Sequence, residues 1–270
     1  MIDAICKWTL LIFTVIIIIL LFRNYNNLEQ FKSIDKPQSH LVNIILMGDY
    51  ILHEPNTHSH RALKHPSIRS LLQKMYPHSN IKEITTTCAT LQDLKSQIGH
   101  IPRKWNTNNT IAIMSIGNND IYQNLINCKK VFDTQPKNAK EPIQTSLKLD
   151  CLSMEEIGEK WHEQIQLLQS TFPKIKIILL SSFYPKKNTE IKTCNGEKTI
   201  ANTSLLDDID KWNLELSQFS INHNMSFIAL DKHFNNTDMA DNSLYLNIKA
   251  VRKLANILGT EIDILYKNNV

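Results

Sequence analysis

Residues 44–52 read IILMGDYIL. With Val42 upstream they form a run from Val42 to Met47 that is apolar apart from Asn43, as a strand covered on both faces requires. The run stops at Gly48-Asp49, a turn of the kind on which a catalytic side chain is mounted, and the next position is Tyr50. A phenol is large and a weak nucleophile at neutral pH, since it ionises near pH 10. The stretch therefore sets two questions, what sheet this strand belongs to and why its tip carries a tyrosine.

Further apolar strands alternate with helices downstream. Ser67–Met75 reads as a helix, Ile81–Thr87 as a strand and Leu91–Ile98 as a helix. Thr110–Ile116 is a second buried strand, ending at Gly117. Ser153 followed by Glu156 is a capping-box pattern opening a helix to Phe172. KIKIILLSS then gives a fourth strand, Leu205–Ile221 a helix, MSFIAL a fifth strand, and Ile248–Leu258 the start of a closing helix. Two polar segments, Lys129–Asp150 and Tyr184–Thr203, read as loop insertions. Such alternation implies a parallel sheet wrapped by helices through right-handed crossovers. In these sheets the functional loops lie beyond the carboxyl ends of the strands. GDY (48–50), TCAT (87–90) and GNND (117–120) all fall there, and DNSLYLN (241–247) precedes the last helix.

At 270 residues, 42% hydrophobic and net charge +4, the chain suits one domain with an appendage. Neither a polybasic run nor aromatic-basic interleaving is present, which sets nucleic acid aside as a partner. The abundance of Asn, Ile and Lys fits an AT-rich genome. WTLLIFTVIIIILLF (8–22) is wholly apolar apart from its threonines, and Ala4–Cys6 extend it past Lys7. Residues 4–22 are long enough for a transmembrane helix, with Lys7 able to snorkel. Because LLFRNYNN offers no small-residue cleavage site, the segment reads as an uncleaved signal-anchor. Residues 23–40 read as a tether and 41–266 as the body, placed in the lumen or outside the cell. Lys7 on one side and Arg23, Lys32 and Lys36 on the other nearly balance, so the short amino-terminal tail decides that orientation.

Four cysteines, Cys88, Cys128, Cys151 and Cys194, lie in the body; they allow two disulfides, and their spacing leaves the connectivity open. Sequons stand at Asn108, Asn202, Asn224 and Asn235, a number that so Asn-rich a chain produces by composition alone. His53, His58, His60 and His65 crowd the first loop without a carboxylate or cysteine to complete a metal site, and read as a solvated loop. His233 reads as a surface residue. No metal and no cofactor is expected.

The four loops, in this order, resemble the blocks of the SGNH (GDSL-type) hydrolases across Val42–Leu258. ILMGDYIL is similar to the first block, normally Gly-Asp-Ser, and TTTCATLQDL to the second, where a glycine precedes a small residue and Thr. SIGNND matches the third, Gly-x-Asn-Asp. DNSLYLN is similar to the fifth, normally Asp-x-x-His-Leu-Asn. The resemblance implies a three-layer α/β/α, flavodoxin-like sandwich with a five-stranded parallel sheet. It also implies acyl transfer by a Ser nucleophile, a His base and an orienting Asp, with an oxyanion hole from the Ser and Gly amides and the Asn side chain.

Carried across by residue, the serine position is Tyr50, the oxyanion glycine is Cys88, the histidine is Tyr245 and the aspartate is Asn242; Asn119 alone is retained. Tyr245 cannot accept a proton near neutrality as imidazole does, and Asn242 brings no charge. Cys88 is open to two readings, a thiol nucleophile or a small apolar residue filling space beside Tyr50. The expectation is a pseudo-hydrolase whose old pocket binds a small-molecule, glycan or lipid ligand, or a protein partner. The alternative is an active esterase or carbohydrate deacetylase using substituted residues.

Overall fold

The computed structural model describes residues 41–49, 51–52, 66–134, 151–185, 188–192, 198–201, 203–238 and 246–267. In chain order the elements are β1 (Asn43–Gly48), α1 (Ile68–Met75), β2 (Asn80–Glu83), α2 (Leu91–Gly99), β3 (Thr110–Ser115), α3 (Asn118–Thr134) and α4 (Met154–Thr171). They continue with β4 (Lys176–Leu180), β5 (Glu190–Lys192), β6 (Lys198–Ile200), α5 (Thr203–Asn222), β7 (Ser226–Ile228) and α6 (Ile248–Lys267).

Five strands form one parallel sheet in the order β2-β1-β3-β4-β7, and β5 and β6 pair separately as an antiparallel ribbon. The winding reverses between β1 and β3, which places a topological switch point, the usual ligand crevice of an open α/β sheet, at their carboxyl ends. Side chains alternate across the sheet. Ile45, Met47, Ala112, Met114, Ile177 and Leu179 pack with α2, α3, α4 and α5, while Ile44, Leu46, Ile111, Ile113, Ile178 and Leu180 pack with α1 and α6. Two cores, one on each face, explain why the strands read as unbroken apolar runs rather than alternating ones.

Local signals set the helix starts. The Ser67 hydroxyl accepts the Ser70 N–H at 3.0 Å. Ser153 and Glu156 exchange bonds as a capping box, at 3.1 Å and 2.7 Å. Such a cap contributes about 1 kcal/mol.

Three features depart from the sequence reading. Helix α3 begins inside GNND and runs to Thr134, so the supposed insertion at Lys129–Asp150 opens as helix; the Asn-rich stretch hides three buried anchors, Ile121, Tyr122 and Ile126. The second segment read as loop, Tyr184–Thr203, contains β5, β6 and the first residue of α5. The second strand stops at Glu83, although the N–H groups of Ile84 and Thr86 still bond to the carbonyls of Leu46 and Gly48. A disulfide joins Cys128 to Cys151, with Cα atoms 4.7 Å apart, closing the segment between α3 and α4. Residues 4–22 and 23–40 lie outside the described residues, among which no helix is long and apolar enough to cross a membrane.

Candidate functional site

The tip of β1 is built around a glycine that cannot be replaced. Gly48 has φ +107, and a Cβ there would sit 1.8 Å from the Ser115 carbonyl oxygen on β3. Gln97 of α2 holds its peptide from two sides, accepting the Gly48 N–H at 2.7 Å and donating to the Gly48 carbonyl at 3.0 Å. The Asp49 N–H then donates to Ser115 O at 2.7 Å.

Asp49 is fully buried. Its carboxyl group accepts from the Ile51 N–H, the Ser115 hydroxyl and the Asn118 amide, at 3.4, 3.3 and 3.4 Å. Burial pushes its pKa up to about 7 against the pull of those bonds, and the charge of Asp120 adds to the rise. Among the described residues the Asn118 Oδ1 is buried without a partner, so turning that amide would give a protonated Asp49 an oxygen to which to donate.

The tip of β3 repeats the device. Gly117 has φ +106 and a Cβ there would lie 2.4 Å from the Trp212 ring. Asn119 Nδ2 donates to the Ala89 carbonyl at 2.9 Å, tying this loop to the one after β2. The Asp120 carboxylate accepts the Leu91 N–H, both oxygens at 3.1 Å, at the amino end of α2 where a negative charge is favoured. Burial nevertheless raises its pKa to about 7.

Three of the four loops thus converge on the switch point: 48–49, 88–91 and 117–120. No family model matches the sequence, and no curated protein does. Solved structures match over nearly the whole body. A catalytic mutant of Axe2, an acetylxylan esterase from Geobacillus stearothermophilus, is 14% identical with TM-score 0.53, over 84% of this chain and 96% of that one. An extracellular lipase from Streptomyces rimosus is 11% identical with TM-score 0.52, over 81% and 99%. A member of the lipolytic G-D-S-L family from Veillonella parvula is 13% identical with TM-score 0.50, over 80% and 96%.

The fold is that of the SGNH hydrolases.

Within the SGNH frame, Cys88 stands where the sequence resemblance puts the oxyanion glycine. Its φ is +69, the left-handed conformation in which a residue with a Cβ is disfavoured by about 1–2 kcal/mol. The backbone there keeps a glycine's shape without the glycine. Cys88 is disulfide-bonded, which corrects both sequence readings: it offers no thiolate, and it is a cross-link rather than an apolar filler. With Cys128 and Cys151 joined to each other, its partner lies outside the described residues.

Asn119 is buried at the position of the third-block asparagine. Tyr50, Asn242 and Tyr245 lie outside the described residues, as do His53, His58, His60 and His65. The fourth loop is seen at its far flank, where Asn247 caps α6 by accepting the Ala250 N–H at 2.9 Å. His233 is exposed; partial burial and then the neighbouring Lys253 lower its pKa. Among the described residues no group of three or more His, Cys, Asp and Glu is placed to hold a metal.

The residues that sequence reasoning missed are Gln97, Ser115 and Asn118, which fix the turns from behind. Gln97 had a signal: it is a buried polar residue beside Leu94 and Ile98 on the apolar face of α2.

Proposed function

We propose that this protein is a membrane-anchored SGNH-type domain that binds a ligand at the mouth of the former active site without hydrolysing it. The observation that carries the reading is Cys88, where the oxyanion loop retains a glycine's backbone conformation while its residue is committed to a disulfide. The frame is kept and the chemistry is changed. In sequence the same holds at Tyr50, Tyr245 and Asn242, which replace nucleophile, base and orienting acid. Loss of a triad leaves only roughly 10³- to 10⁴-fold catalysis over water. Tyrosine side chains suit stacking on a sugar ring or capping an acyl chain, and the resemblance assigns two of them, Tyr50 and Tyr245, to the family's catalytic positions. The apolar run 4–22 serves as the anchor, and the Cys128–Cys151 disulfide supports a body in the lumen or outside the cell, where disulfides persist.

A second reading is favoured by the matching structures, which are an esterase and lipases: ester or acetyl-sugar hydrolysis through substituted residues. The full chain in nanodiscs, offered a short-chain aryl ester and an acetylated xylo-oligosaccharide, distinguishes the two. The first reading expects turnover no higher than the protein-free control; turnover abolished by Tyr50→Phe establishes the second. Thermal-shift measurements with acylated oligosaccharides and fatty acids then test binding. A shift in the wild type that Tyr50→Ala loses locates the ligand at the pocket. If no such compound moves the wild type, the pocket reading fails in favour of a protein-interaction module.

A further inference from the structure

The main sheet has an open edge. Strand β7 (Ser226–Ile228) pairs with β4 alone among the described residues, and its outer rim offers backbone groups to any other strand. Ile221, 75% exposed, is the most exposed large hydrophobic side chain of the described residues, and it lies on α5 just before this edge. An edge left unpaired among the described residues, shortly after an exposed isoleucine in the chain, favours self-association.

Two sequons flank β7, one at each end. Asn224 (Asn-Met-Ser) sits in the turn from α5 into the strand, exposed, with φ +53 and its N–H donating to the Ile221 carbonyl at 3.3 Å. Asn235 (Asn-Asn-Thr) sits after the strand, exposed, with Oδ1 accepting both the Thr237 N–H at 2.9 Å and the Thr237 hydroxyl at 2.6 Å. Neither Nδ2 donates a hydrogen bond among the described residues, so the nitrogen that would carry a sugar points to no partner. The sequon at Asn108 differs, because its Thr110 is fully buried at the start of β3. The fourth, Asn202, lies outside the described residues.

We propose that Asn224 and Asn235 carry N-linked glycans that shield the open β7 edge and Ile221. The inference rests on the lumenal or extracellular placement of the body. In the transfer, each Asn Nδ2 forms a bond to the anomeric carbon of a lipid-linked pyrophosphoryl oligosaccharide. The bond from that carbon to the pyrophosphate oxygen breaks, the lipid pyrophosphate leaves, and one amide proton is lost. A glycan is bulky and soluble, and so would cover a strand edge that has no further strand paired to it among the described residues.

The test expresses the full chain in insect cells and treats it with peptide-N-glycosidase in heavy-oxygen water, reading each asparagine by mass spectrometry. Labelled aspartate at 224 and 235 is the expected result, with one electrophoretic step lost in Asn224→Gln and one in Asn235→Gln. Glycan removal under native conditions should then raise the light-scattering mass as edges associate. Unlabelled Asn224 and Asn235 in chains whose Cys128–Cys151 bond has formed would overturn this inference alone. Unlabelled residues with both cysteines reduced would overturn it together with the lumenal placement. Glycans present, but with no change of mass on their removal, would sink the shielding role.

Discussion

Gln97 and Gly48 form a closed two-bond ring: the Gln97 amide accepts the Gly48 N–H at 2.7 Å and donates to the Gly48 carbonyl at 3.0 Å. A side chain from α2 here stands in for a neighbouring strand. It satisfies the N–H of the last residue of β1, whose φ is +107, and shares that residue's carbonyl with the Thr86 N–H.

Removing this grip leaves the buried Gly48 N–H unpaired, while the Gly48 carbonyl keeps the Thr86 N–H at 3.1 Å. Gln97→Ala is expected to lower unfolding stability by about 2 kcal/mol. Gln97→Glu keeps only the acceptor side at neutral pH and should fall no less. The denaturant midpoint at unchanged slope measures both; a change below 1 kcal/mol in either variant, roughly the value of one exposed hydrogen bond, would show the ring to be dispensable.

Asp49 gives the protein a pH dependence of definite sign. Burial raises its pKa from 3.8 to about 7, so between those values the folded state holds a proton that the unfolded chain has released. Its contribution is complete below the unfolded value and is lost as pH rises to about 7. Asp120, raised likewise, acts in the same direction. Stability should therefore fall with rising pH across this window, by something on the order of 4 kcal/mol per group. Asp49→Asn should flatten the curve, measured by urea titration at a series of pH values.

Cys88 allows backbone and cross-link to be separated. Cys88→Gly and Cys88→Ala both remove the disulfide, but only glycine relaxes at φ +69. The glycine variant is expected to be the more stable of the two by about 1 kcal/mol. Equal stabilities would mean that the loop leaves its left-handed conformation once the disulfide is gone.

Gly117→Ala combines backbone strain with a contact 2.4 Å from the Trp212 ring, and should cost roughly 3 kcal/mol. In the Trp212→Leu background the steric part disappears and the strain remains, so the alanine substitution should cost clearly less there. A double-mutant cycle reads the difference directly.

The layout of the sheet is legible in the order of residues alone. Continuous apolar runs such as Ile44–Met47 and Ile111–Met114 have no solvent face to spare, and that property alone calls for helices on both sides. The turns at Gly48 and Gly117 are legible for the same local reason: each closes an apolar run and precedes a polar residue. Helix α3 is not legible, because its start coincides with GNND and its Asn-rich surface conceals the spacing of Ile121, Tyr122 and Ile126. Strands β5 and β6 are three residues each, too short for a period to show.

The amino-acid sequence by itself determined which residue types stand at the tips of the strands, because covalent order cannot be altered by folding: a tyrosine follows Gly48-Asp49, and no histidine lies between Asn242 and Asn247. Only the tertiary structure decided what those tips are made of physically. Gln97 reaches a glycine 49 positions away, Asn119 reaches Ala89, and Cys88 takes up a glycine's conformation within a disulfide. Such partners lie far apart along the chain, where no local periodicity records them, and they meet because the parallel sheet brings the ends of its strands to one side.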